Sequence, residues 1–129
     1  QLLAARMAAT MARASAMPAL AGYAQALGKA LEDVGVATQK AWATGNPAEA
    51  LANAVPYMQA FGHTVLAWIW LDVCAASLQA DPAQASAATV GRMGAGRYFF
   101  HFELPKIGAW LSVVQSRDST CADFPEDAF

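Results

Sequence analysis

Charge is what this chain has least of. Of 129 residues, 8 are Lys or Arg and 10 are Asp or Glu, so the charged fraction is 14% and the formal net charge −2. Binding nucleic acid takes a basic stripe facing phosphates; none is visible, which argues against such a partner. Cysteine is almost missing too. Cys74 and Cys121 are the only two, and so placed they make no disulfide framework, which points to a reducing compartment and a cytoplasmic location. Long hydrophobic runs are absent: the longest, residues 65–71, is far too short to cross a bilayer, so no membrane span is expected. The start has no charged segment, apolar stretch and cleavage-site pattern of a signal peptide. β-Branched residues are few and scattered, which disfavours strands.

What is present is apolar and helix-forming. The hydrophobic fraction is 57%, much of it alanine, which with Leu, Met, Gln and Glu favours helix. A chain of this length is one domain and buries roughly two thirds of its unfolded surface. So much apolar surface on so few charges implies a partner, either another copy or a larger body. Because Gln1 already lies inside a helical pattern, the chain reads as a piece of a longer protein.

Periodicity predicts an all-α fold, an antiparallel four-helix bundle running up-down-up-down over residues 1–116, with helices at about 2–15, 18–44, 47–79 and 82–116. Residues 117–129 are expected to be irregular, tacked down by Phe124 or Phe129. In the first helix Leu3, Met7, Thr10, Ala14 and Met17 share a stripe. Pro18 separates it from the second, the alternative being one helix kinked there. Leu20, Ala24, Leu27, Leu31, Val34, Thr38 and Ala41 follow, and Gly22, Gly28 and Gly35 are expected to let a neighbouring backbone approach. Gly45 suits a left-handed helix end. Asn46, Pro47 and Glu49 form a helix start, as do Asp81, Pro82 and Gln84.

The third helix is the centre. Tyr57, Phe61, Thr64, Trp68, Leu71 and Ala75 lie on one face, and Leu66, Trp70, Val73 and Cys74 on nearly the opposite one, so both need covering. The fourth carries Met93, Phe100, Leu104, Ile107, Leu111 and Val114 on its core stripe. A second stripe holds Gly91, Gly94, Tyr98, Phe102 and Ala109. A third, mixed face holds Arg92, Phe99, Glu103, Lys106 and Trp110. Pro56 and Pro105 sit inside the third and fourth helices, about equally far from the turn near Asp81, so matched bends at one level are expected. The alternative is a break at residues 53–56 that leaves a short first segment.

No residue is assigned a catalytic, cofactor-binding or metal-binding role. His63 and His101 face each other closely enough for a bis-histidine site, but no C-x-x-C-H, H-E-x-x-H or ligand-spaced carboxylate accompanies them, and surface or interface histidines are preferred. Asp72 is an acid on an apolar side. It is read as a structural pair with Arg92 or Arg97 rather than a general base of raised pKa. Glu103 and Lys106 make a surface pair. The aromatic set around Trp68, Trp70 and Trp110 is core before it is a flavin or acyl pocket.

Two blocks carry a resemblance. ALANAVPYMQAFGHTVLAWIWL (50–71) and GRYFFHFELPKIGAWL (96–111) resemble the C-terminal helical extension of one acyl-CoA dehydrogenase branch. The matching positions are Pro56-Tyr57-Met58, Phe61-Gly62, Trp68 and Trp70, then Arg97-Tyr98-Phe99 and Leu104-Pro105. The closing PEDAF is similar to the natural end of such chains. The resemblance implies an intact enzyme that uses FAD to take two hydrogens from an acyl-CoA thioester. It implies that the base and the flavin-binding segments lie in an upstream catalytic core, the partner of this segment, within a homo-oligomer. No FAD is then held by this segment itself. The competing readings are a free-standing helical dimerisation module and, behind it, a haem- or ligand-binding bundle.

Overall fold

The computed structural model describes residues 2–128, all-α with no strand among them. Helix α1 (Leu2–Ser15) buries Met7, Thr10 and Ala14 from the expected stripe. Pro18 does separate it from α2 (Ala21–Ala41). The turn between them closes through Leu20 and Ala21 amides donating to the Met17 carbonyl, at 2.9 and 3.0 Å, and Leu20 is fully buried beneath it. α2 is shorter at both ends than the predicted 18–44. It ends at Ala41, and Gly45 takes the left-handed φ of +71° that turns the chain. Within α2 the glycines do not admit a backbone: a β-carbon at Gly22 or Gly35 would meet nothing within 4 Å, and one at Gly28 only the Met11 sulfur at 3.8 Å.

The helix predicted over 47–79 is two, α3 (Pro47–Leu51) and α4 (Ala54–Ala80). Asn46 caps α3 by accepting from the Ala48 amide at 3.0 Å, whereas Glu49 takes the Thr44 hydroxyl at 2.7 Å instead of closing a capping box. The break falls at Asn53, whose side-chain amide donates to the Asp118 carbonyl at 2.9 Å. Its position answers the proline. In α4, Pro56 sits in the first turn, where amides have no intrahelical acceptor, so its missing N–H costs nothing and no bend is needed.

After α4, the expected helix start at Asp81 is a loop. Its carboxylate accepts from the Ala85 and Ser86 amides, both at 3.0 Å, and Ser86 instead caps α5 (Ala87–Tyr98) by accepting from Thr89 at 3.1 Å. Then come a π-helical turn (Phe99–Glu103), a 3-10 turn (Leu104–Lys106) and α6 (Ile107–Ser116). Pro105 explains the irregularity. Its ring would strike the His101 carbonyl in a regular helix; widening the preceding turn, so that the Leu104 amide reaches back to Phe99, makes room. Phe100, Leu104, Ile107, Leu111 and Val114 are buried as predicted.

The two prolines are not level. Asn53 meets Asp118 and Cys74 meets Gly96, so Pro56 lies near Val114 and Pro105 near Val65. The matched-bend expectation therefore fails in register as well as in shape. α4 packs on α5 and α6, α2 on α4 and α6, and α1 on α2 and α4. The tail is less irregular than predicted, with α7 (Thr120–Asp123) and a 3-10 turn (Glu126–Ala128). Phe124 is half-exposed there, and Phe129 lies outside the described residues.

Candidate functional site

Helix α4 contains one charged residue, Asp72, in 27 positions. It buries Ala60, Thr64, Ala67, Leu71, Cys74, Ala75 and Ser77. Its other side is apolar too and uncovered: Val55 is 71% exposed, Met58 60%, Leu66 45% and Ile69 43%. The α5–π-turn rod adds Tyr98 at 55% and Phe102 at 64% from the stripe small at one end and large at the other. This exposed apolar surface is the candidate binding surface.

His63 lies beside this surface. Its Nδ1 is 3.2 Å from the Gln59 carbonyl and its Nε2 3.3 Å from a Glu103 oxygen. Both partners only accept, so both bonds form together only on the doubly protonated ring. Trp110 packs edge-on at 4.7 Å between centroids. Glu103 also receives Lys106 at 2.8 and 2.9 Å, and the Lys106 ammonium, then His63, hold its carboxyl below the usual range. His101 is elsewhere, exposed, with its ring edge to Tyr23 at 6.0 Å. The two histidines therefore assemble no common site. Among the described residues no three His, Cys, Asp or Glu side chains are grouped to hold a metal.

Asp72 does not pair with Arg92 or Arg97. Arg13 of α1 makes the salt bridge, and the Thr10 hydroxyl donates to the same oxygen at 3.0 Å. Thr10 in turn accepts from the Trp68 indole N–H at 2.9 Å. The result is a chain of polar contacts that fixes α1 on α4. Arg92 instead borders Val73, Ala76, Ser77 and Ala80. The Asp72 side chain is 49% exposed, so it is not an acid buried on an apolar face. Nothing in residue spacing links position 13 to 72, so this partner was not readable from the sequence.

Two clefts lie at the end where α2 meets α3. One, of about 740 Å³, is open and polar, lined by Thr44, Asn46, Glu49, Arg117, Ser119 and Asp123 among others. The other, about 230 Å³, is apolar, with Trp42, Leu51 and Met58 at its rim and the Thr38–Tyr57 hydroxyl pair, 3.0 Å apart, at its wall. Neither is lined by a histidine, lysine or cysteine.

A family model described as acetyl-CoA dehydrogenase C-terminal like matches residues 3–125. No match was found among curated proteins or among solved structures.

Proposed function

The chain belongs to the acetyl-CoA dehydrogenase C-terminal-like family, and from that premise we propose that it is the noncatalytic C-terminal helical domain of an FAD-dependent acyl-CoA dehydrogenase. Its work is packing on the enzyme's catalytic core and assembling subunits, in the cytoplasm. The core supplies FAD and the proton-abstracting base. This segment supplies neither, and its long rods form an antiparallel bundle, α1 up, α2 down, α4 up and α5–α6 down.

The observation that carries the reading is the match over nearly the whole chain. The apolar faces left open on α4 and on the Tyr98–Phe102 rod support it, because a domain appended to a larger body keeps apolar surface for that body. A free-standing dimerisation module would use the same faces, and the upstream reading frame separates the two.

The test joins that frame with protein chemistry. The frame is expected to encode a dehydrogenase core, and the longer polypeptide is expected to purify yellow and to reduce a dye with acyl-CoA. The 129-residue chain alone is expected to stay colourless and inactive. A frame without such a core, or FAD retained by the short chain, would overturn the reading.

A further inference from the structure

The geometry points to His63 as a proton-dependent clamp between α4 and the π-helical turn, closed while its ring carries two protons and loosened when it loses one. The side chain is 23% exposed and packs between Phe99, at 5.8 Å between centroids, and Trp110, so its ring has a fixed orientation. Each nitrogen meets an oxygen that only accepts: the Gln59 carbonyl within α4, and the Glu103 carboxylate 40 residues away in sequence. Glu103 is ionised at neutral pH, because Lys106 above all holds its carboxyl below the usual range. A neutral imidazole has one N–H, so one of the two contacts would then set lone pair against lone pair. Whichever proton stays, the tie to Glu103 loses either its hydrogen or its cation, and with the cation goes the strength of a pair charged on both sides.

The surroundings make the loosened state accessible. Lys106 donates to both Glu103 oxygens from the same rod, so the carboxylate keeps a partner when His63 lets go. The main chain holds this segment less firmly than a regular helix, since Pro105 has no amide to donate and the Leu104 amide reaches back to Phe99. The Tyr98 hydroxyl donates to the same carboxylate at 3.5 Å and its ring stacks on Phe102, so the exposed aromatic pair is carried by the turn that the clamp holds. Lys106 and Tyr98 are the ionisable groups beside the His63–Glu103 pair. Residues 54–71 of α4 contain no Asp, Glu, Lys or Arg, nor does α6. Asp72, about 14 Å further along α4, is held by Arg13 of α1, and Lys40 of α2 is engaged by Gln115. Closing the clamp favours the charged ring. Its contribution is therefore complete below the ordinary histidine value of about 6.5 and lost as pH rises through the value in the folded chain. The inference concerns this chain's own residues and stands apart from the flavoenzyme reading.

Nuclear magnetic resonance of the full 129-residue chain tests this, because it has two histidines and the exposed His101 serves as the reference. Glu103→Gln keeps the shape of the side chain and adds an amide that donates to a neutral ring, so the second proton is no longer required. In that variant the midpoint of the His63 titration is expected to fall by at least about half a pH unit, roughly threefold in proton affinity, with the His101 midpoint unmoved. In the parent, hydrogen exchange at the Leu104 amide, corrected for its intrinsic rate, is expected to quicken at least about threefold between about pH 6 and pH 8. In Glu103→Gln and in His63→Gln, which has no titrating ring, it is expected to stay level. Equal His63 midpoints in parent and Glu103→Gln would overturn the clamp. So would a Leu104 amide in the parent that ignores pH, or one whose pH dependence survives in His63→Gln.

Discussion

Where α5 crosses α4, a β-carbon on Gly96 would sit 2.5 Å from the Cys74 sulfur. A close approach at glycine, expected in α2 from a neighbouring backbone, is found on a different helix and against a side chain. Both residues are buried. Gly96→Ala must therefore push α5 outward or force the thiol off its rotamer, at about 1–3 kcal/mol for an overpacked core. Urea unfolding should show that loss, and Cys74→Ala in the same chain should recover most of it. Full loss in the double variant would mean that the backbone at Gly96, not the sulfur, sets the requirement. The same burial pushes the Cys74 thiol pKa up, while Cys121 is exposed. Ellman's reagent at neutral pH should titrate one thiol quickly and the second only on unfolding; equal rates would contradict the packing. Core positions such as Leu104, Ile107 and Leu111 were legible because 3.6-residue periodicity reports burial directly. Gly96 was not, because no local pattern says which small residue meets a sulfur from another helix.

Elements were legible where their signals are local and misread where two signals compete. Asn46 and Pro47 start a helix as written, and Pro18 ends one. Asp81-Pro82 carries the same start signal, but Ser86 captures the cap and Asp81 is spent on the loop before it. The Ser86 amide, then the Ala85 amide and the Thr89 hydroxyl, hold the Asp81 carboxyl down to about 2, from a usual 3.8. A depressed folded pKa means stability that is complete above the unfolded value and lost as pH falls through the folded one. The hairpin should therefore weaken between about pH 4 and pH 2 as this carboxylate protonates. Asp81→Asn should flatten that part of the curve of melting temperature against pH, and an unchanged acid limb would assign it to other carboxylates. Tertiary contacts sit at the same scale. Thr10→Val in α1 leaves the Trp68 indole N–H without its acceptor in a part-buried site, at about 1–3 kcal/mol. Asp72→Asn removes only a half-exposed ion pair, worth about 1 kcal/mol or less. A larger loss from Asp72→Asn than from Thr10→Val would reverse this ranking.

For the whole molecule, a block of uncommon residues in order pointed to the family, while composition pointed only to helix and to apolar excess. Residue spacing found no site, because exposed apolar side chains leave no cluster of acids and bases to recognise. Their legible trace is the imbalance between apolar area and charge, and that imbalance governs the chain's behaviour in solution. At pH 7 the net charge is −2 and the isoelectric point is near 5.5, so electrostatic repulsion between copies is weak at neutrality and vanishes on mild acidification. Tyr98 and Phe102, stacked at 5.0 Å between centroids, are 55% and 64% exposed. Light scattering of the isolated chain at low salt should therefore rise as pH falls from 8 toward 5.5 and decline again below it. Phe102→Lys should suppress the rise through both its lost area and its added charge. Because Phe102 is 64% exposed, the cost to folding should stay within about 0.5 kcal/mol. Scattering that ignores Phe102→Lys would show that the aromatic face is inert.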